Sequence, residues 1–100
     1  MWFVYVVRCA DDSLYCGIAR DVAARLAEHE AGTGAKYTRG RGPLRLVHRR
    51  GCRDKGTALR LEYLIKQLPR AEKDRLDAKQ LARLARRARV ATRLARRASE

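Results

Sequence analysis

Arg25 and His29 stand four residues apart in DVAARLAEHEA, where Val22, Arg25, Leu26 and His29 recur at i, i+3, i+4 and i+7 and so share one stripe of a helix. Such a stripe ordinarily faces the core and is wholly apolar. Here a guanidinium and an imidazole are neighbours on it, pointing where burial should be, and a charge so placed needs an anion. The simpler alternative stays open at this point: Arg25 snorkels to a rim or pairs with an acidic residue, and His29 is an ordinary, hydrogen-bonded histidine.

Four further groups could take part in chemistry. Glu62 sits at the rim of a second apolar helical face, where a surface pair with Lys66 at i+4 would account for it. Tyr5 and Tyr15 lie in β-like runs, where tyrosines pack their rings and send the hydroxyl to a partner or to water. Between the two helical stretches runs GTGAKYTRGRGP, whose glycines let backbone approach a ligand closely while Lys36, Arg39 and Arg41 supply positive charge and Tyr37 a stacking or packing surface. Cys16 reads as a small hydrophobe with no base beside it.

The elements that must position these groups follow from pattern. WFVYVVRC and LYCGI are aromatic and β-branched, and Ala10-Asp11-Asp12-Ser13 between them are turn formers, which predicts a β-hairpin. The period of two puts Phe3, Tyr5, Val7 and Cys9 on one face. Tyr15 and Gly17 join that face only if residues pair with an even sum, such as Val7 opposite Tyr15 and Tyr5 opposite Gly17, since a slip of one residue would separate the tyrosines. Asp21 caps a helix predicted from about Val22 to Ala31, which Gly32 and Gly34 stop. LRLVHRR is a third strand. A second helix is predicted from Thr57 or Ala58 to a point before Pro69, burying Ala58, Leu61, Leu64, Ile65 and Leu68. The order implies an α+β fold: a three-stranded, mostly antiparallel sheet flanked by helices, with a basic C-terminal helix or tail.

The chain has 100 residues, 46 % of them hydrophobic, which points to one small soluble domain and excludes most multi-domain enzymes. Its 24 Lys plus Arg against 11 Asp plus Glu give a net charge of +13, so an anionic partner, nucleic acid first, is expected. Residues 1–75 carry +7 and residues 76–100 carry +6. The last stretch, QLARLARRARVATRLARRASE, favours helix but offers only a thin apolar stripe at Leu81, Leu84, Ala88, Ala91 and Ala95, and reads as a basic tail, helical or disordered, separate from the core. It is either a solvated appendage or a helix that contacts phosphates. Cys9, Cys16 and Cys52 form no Cys-x-x-Cys pair, which suggests neither a disulfide framework nor a closed zinc site and fits a reducing, cytoplasmic setting. The longest apolar run, Trp2 to Val7, falls far short of the roughly 20 residues that span a bilayer, so no membrane anchor is expected.

Over about three quarters of its length the chain resembles the GIY-YIG nuclease superfamily, and more closely its small stand-alone members related to structure-specific endonucleases. Phe3-Val4-Tyr5 matches the first triplet of that family and Tyr15-Cys16-Gly17 the second. The first keeps only its tyrosine, and in the second Cys16 replaces isoleucine. GIARDVAARLAEHEAGTGAKYTRGRGPLRLVH resembles the next block, in which a capped helix presents an arginine and then a histidine, here Arg25 and His29, before a loop matched by Lys36 and Thr38. ALRLEYLIKQL resembles the helix that carries the metal-binding glutamate, with Glu62 at that position.

The resemblance implies a nuclease domain over residues 1–75 that hydrolyses phosphodiester bonds in DNA with a divalent metal, Mg²⁺ or Mn²⁺, held by Glu62. Arg25 would contact the scissile phosphate. Tyr5 would be the general base, although a phenol of pKa about 10 is barely ionised at neutral pH, so its pKa must be lowered by nearby cations or its proton must pass on to metal-bound hydroxide. Tyr15 would orient the phosphate or nucleophile, and His29 would bond Tyr5 or the phosphate and help move the proton. Lys36, Thr38, Arg39 and Arg41 would grip flanking phosphates, positioning DNA without reading its sequence. A monomer of low sequence specificity, selective for branched or single-stranded structure in repair or recombination, is the expectation. RNA as ligand, a dependence on a partner protein and a module that binds without cutting remain the alternatives.

Overall fold

The hydrophobic run at the N-terminus forms β1 (Trp2–Arg8), which turns through Cys9–Ser13 into β2 (Leu14–Ala19). In this computed structural model, which describes residues 1–32 and 42–99, the chain continues through α1 (Val22–Glu30), β3 (Arg45–Cys52), α2 (Lys55–Lys66), α3 (Arg70–Asp74) and α4 (Ala78–Ser99). The fold is α+β with a three-stranded antiparallel sheet in the order β2-β1-β3. The central strand is therefore β1, whose near-continuous burial from Val4 to Val7 suits a strand covered on both faces.

The hairpin turn is closed by the Cys9 N–H donating to Ser13 O at 2.8 Å and the Asp12 N–H to Cys9 O at 2.9 Å, with Asp12 at φ 68°. Short polar side chains such as Asp tolerate that left-handed backbone. The register pairs Val7 with Tyr15 and Tyr5 with Gly17, the pairing that keeps both tyrosines on one face. Between β1 and β3 the register slips at Val6/Val7, leaving Val47 unpaired against β1 as a bulge.

One face of the sheet, with Val4, Val6 and Cys16, packs on α2 and α4. The other, with Tyr5, Val7 and Ala19, packs on Val22 and Leu26 of α1. Asp21 caps α1 by accepting from the Ala24 N–H at 3.0 Å, and the helix ends at Glu30, one residue before the predicted Ala31, with Gly32 at φ 78° beyond it. Gly34 lies outside the described residues. The second helix starts earlier than the predicted Thr57, because Asp54 caps it through the Thr57 N–H at 2.7 Å and admits Lys55 and Gly56 to the first turn. Its buried face is the predicted one: Ala58, Leu61 and Ile65 are buried, with Leu64 and Leu68 packed at the margin.

The C-terminal stretch corrects the reading of it as an appendage apart from the core. Residues 78–99 form α4, and Leu81, Leu84, Ala85 and Ala88 are buried in the same cluster as Val4, Val6 and Leu61. Its apolar stripe ends on Ala85, Ala88 and Thr92 rather than on Ala91 and Ala95; Thr92 Oγ1 meets Thr57 Oγ1 of α2 at 2.8 Å, buried between the helices. Small residues at these positions let α4 lie close against α2.

Candidate active site

Tyr5 is 1 % exposed, and its Oη lies 2.9 Å from Nε2 of His29, itself 2 % exposed on α1. Strand β1 supplies the phenol and the capped α1 brings the imidazole over it. Arg25, one turn earlier on α1, lies close enough for its positive charge to act on the Tyr5 phenol. Nε2 of His29 is the one hydrogen-bond partner of the phenol among the described residues, so a protonated phenol directs its O–H to His29. Nε2 is thus the acceptor of a neutral imidazole.

That assignment agrees with the electrostatics. Burial, followed by the neighbouring Arg25 charge, lowers the pKa of His29 below its ordinary value and keeps the ring neutral near pH 7. The Tyr5 phenol moves the other way: burial, then the proximity of Tyr15, pushes it up to about 12 despite the nearby charge of Arg25. Of the two routes expected from the sequence, a lowering by the protein's own cations is outweighed here, since desolvation exceeds the effect of one partly exposed guanidinium. Tyr5 is held as a neutral donor.

Tyr15 completes the group, its ring set edge-on to His29 at 5.3 Å between centroids and 6.3 Å from that of Tyr5. Gly17, opposite Tyr5 in the register, makes room for the phenol: a Cβ there would stand 2.5 Å from Tyr5 Oη and 2.8 Å from Cζ. Its value lies in the missing side chain. Arg25 reaches outward as well, to Glu28 at 2.6 Å, with the two side chains 36 % and 51 % exposed. This carboxylate partner was not singled out in the sequence, although its i+3 spacing from Arg25 was the available signal. An exposed pair of this kind is worth at most about 1 kcal/mol, so an arriving phosphate can replace it.

Glu62 is brought near, on the other side of an edge. Its carboxylate, 20 % exposed, has Lys66 Nζ at 3.8 Å, and after burial it is the main influence raising the Cys16 thiol, to about 12. Cys16 is consequently an inert, protonated thiol. Cys16 and Tyr15 are consecutive and point to opposite faces of β2, an edge strand. A cleft of about 320 Å³ at that edge is lined by Tyr15, Cys16, Lys66 and Lys73. Tyr5, Tyr15, Arg25 and His29 thus form one cluster, with Glu62 across the rim from it. Lys36, Thr38, Arg39 and Arg41 lie outside the described residues.

Among the described residues no group of three His, Cys, Asp or Glu side chains could cage a metal. A single half-open carboxylate nevertheless suits a hydrated hard cation, which keeps most of its waters and takes further ligands from substrate phosphate. No helix among the described residues is long and apolar enough to cross a membrane.

Comparison with known proteins bears on the same residues. The model of the GIY-YIG catalytic domain matches residues 1–75. A UPF0213 protein of Vibrio cholerae is 54 % identical over 78 residues, 77 % of this chain and 77 % of its own length. One from Halobacterium salinarum is 53 % identical over 76 residues, 76 % of this chain and 99 % of its own. The solution NMR structure of a UPF0213 protein from Bacillus halodurans has a TM-score of 0.50 at 41 % identity, covering 82 % of this chain and 94 % of that one. The designation UPF0213 states no activity, whereas the domain is that of a nuclease family. With the triplet tyrosines, the glycine and the α1 pair all within the matched segment, the chain belongs to the GIY-YIG nuclease family, among its small UPF0213 members.

Proposed function

We propose that the chain is a metal-dependent endonuclease that hydrolyses phosphodiester bonds in DNA with little sequence specificity, selecting branched or single-stranded structure. The observation that carries this reading is the buried Tyr5–His29 hydrogen bond, with the Arg25 guanidinium one turn away on the same helix. Tyr5 passes its phenolic proton to neutral Nε2 of His29 and takes a proton from the attacking water. The water oxygen bonds to phosphorus as the P–O3′ bond breaks, and the leaving oxygen is protonated from solvent. Because the proton moves on to His29, a phenol with a pKa of about 12 need never be free phenolate in bulk equilibrium.

Arg25, released from Glu28, holds the non-bridging oxygens as charge builds on them, a task for which its planar fork is suited. Tyr15 keeps the imidazole edge-on and directs its hydroxyl to the phosphate. A Mg²⁺ or Mn²⁺ ion held by Glu62 and the substrate would supply Lewis-acid stabilisation of the phosphate and the leaving oxygen. Lys36, Thr38, Arg39 and Arg41 are assigned to flanking phosphates.

A second reading, a module that binds nucleic acid without cutting it, is favoured by the raised pKa of Tyr5 and the occupied Arg25. One experiment separates them. Purified wild type and Glu62→Ala are incubated with labelled single-stranded, duplex, flap and four-way-junction DNA and a single-stranded RNA, each with Mg²⁺, Mn²⁺ or EDTA. Metal-requiring cleavage by wild type that vanishes in Glu62→Ala, with DNA binding retained, is the expected result. Binding without cleavage of any DNA would establish the second reading, and cleavage of RNA alone would replace the substrate.

A further inference from the structure

Away from the tyrosine cluster, the end of β3, the start of α2 and the flank of α4 enclose a cleft of about 420 Å³. Arg50, Arg53, Arg89, Arg93 and Arg96 line it, with Asp54 the one acidic group among its lining residues. Asp54 is already engaged: it caps α2 and accepts from Arg96 at 3.0 Å, which anchors α4 across the cleft. The remaining four arginines have no counter-charge in its lining. The floor is built and polar, with the buried Thr57–Thr92 hydroxyl pair at 2.8 Å beneath the guanidinium groups.

We propose that this arginine-lined cleft binds the phosphate backbone of a second segment of duplex nucleic acid, separate from the strand at the tyrosine cluster. Four observations support that occupant. First, Arg89, Arg93 and Arg96 follow at four- and three-residue spacing and so lie on one side of α4. Second, they span about 10 Å of helix, which corresponds to about three phosphates of one duplex strand. Third, the lining residues include no aromatic side chain, so the cleft lacks the stacking platform that single strands use, and guanidinium contacts to a duplex backbone remain. Fourth, α4 lies beyond residues 1–75, the segment matched by the nuclease domain, so the wall with Arg89, Arg93 and Arg96 comes from outside that segment and faces Arg50 and Arg53 from within it.

Tyr5 and the buried residues of α4 pack on opposite faces of the sheet. A nucleic acid that fills both places must therefore bend round the domain or present two arms, which links this site to a preference for branched substrates. The inference rests on the nuclease reading only in that last step, since backbone binding by the cleft stands without catalysis.

The test is the salt dependence of duplex binding by the full chain in EDTA, followed by fluorescence anisotropy, for wild type, Arg89→Gln/Arg93→Gln and the charge-matched Arg83→Gln/Arg87→Gln. Arg83 and Arg87 lie about 120° and 160° round α4 from Arg89 at about 100° per residue. Gln keeps the helix propensity of Arg. The cleft pair should lower the slope of log K against log salt by about 1.8, at about 0.9 per lost phosphate contact, while the control pair leaves it as in wild type. Arg53→Gln/Arg93→Gln, with one change on each wall, should reproduce the loss and guards against a local effect on α4. Equal falls in cleft and control pairs would overturn the proposal in favour of diffuse net charge. Unchanged slopes in all variants would overturn it and leave an acidic protein as the occupant. Cleavage of junction DNA in Mg²⁺ is scored separately, so a wild type that binds with the expected slopes but never cuts would sink the nuclease reading and leave the cleft standing.

Discussion

In the proposed relay a buried phenol hands its proton to an imidazole whose pKa is depressed by burial and by the nearby Arg25 charge, and a pH dependence follows from that direction. His29 takes a proton less readily in the folded chain than in the unfolded one. Its contribution to stability is therefore complete above the unfolded value of about 6.5 and is lost as pH falls through the lower folded value. Cleavage by the proposed relay should follow the same limb, holding level at pH 7 and falling about tenfold per unit once His29 is protonated. A single-turnover pH profile checks this alongside an NMR titration of the His29 ring, and a rate that stays flat while the ring takes up its proton would remove His29 from the path. Gly17→Ala should force the Tyr5 phenol off His29, because the new Cβ would fall 2.5 Å from Oη; the expected losses are about 10²-fold in rate and on the order of 1–3 kcal/mol in stability, read by cleavage and urea melts. At this scale the sequence showed that Arg25 and His29 broke an apolar stripe, since helical spacing is local information. It did not show the direction of the Tyr5 shift, because desolvation depends on how α1 closes over β1.

Among the elements, α4 alters the account most. Leu84, 5 % exposed, is part of the core shared with β1 and α2, whereas Leu94 is 60 % exposed on the same helix. Leu84→Ala should cost about 2–5 kcal/mol and Leu94→Ala less than about 0.5 kcal/mol in chemical denaturation. Equal small effects would return residues 76–100 to the status of a loose tail. The parity of the strand register was legible from the hairpin, where an even-sum pairing keeps Tyr5 and Tyr15 on one face, as the observed register does. The central position of β1 was not, because it depends on the distant β3. The thin Ala and Leu stripe of α4 concealed its burial, since Ala85 and Thr92 bury little apolar surface of their own and gain their place from the close approach of α2.

For the molecule as a whole, a net charge of +13 is distributed so that the two candidate nucleic-acid surfaces are separated by the sheet, with the tyrosine cluster under α1 and the arginine cleft against α4. Composition pointed to an anionic partner but not to the arginines that line the cleft against α4. The most direct test of the central claim is single-turnover cleavage of a four-way junction in Mg²⁺ by wild type and Tyr5→Phe, with binding of the same junction measured in EDTA. Removing one buried hydroxyl leaves the ring and the charge unchanged. A relay through Tyr5 requires that the rate fall by about 10³-fold or more while binding stays within about twofold. Cutting by Tyr5→Phe at the wild-type rate would contradict it.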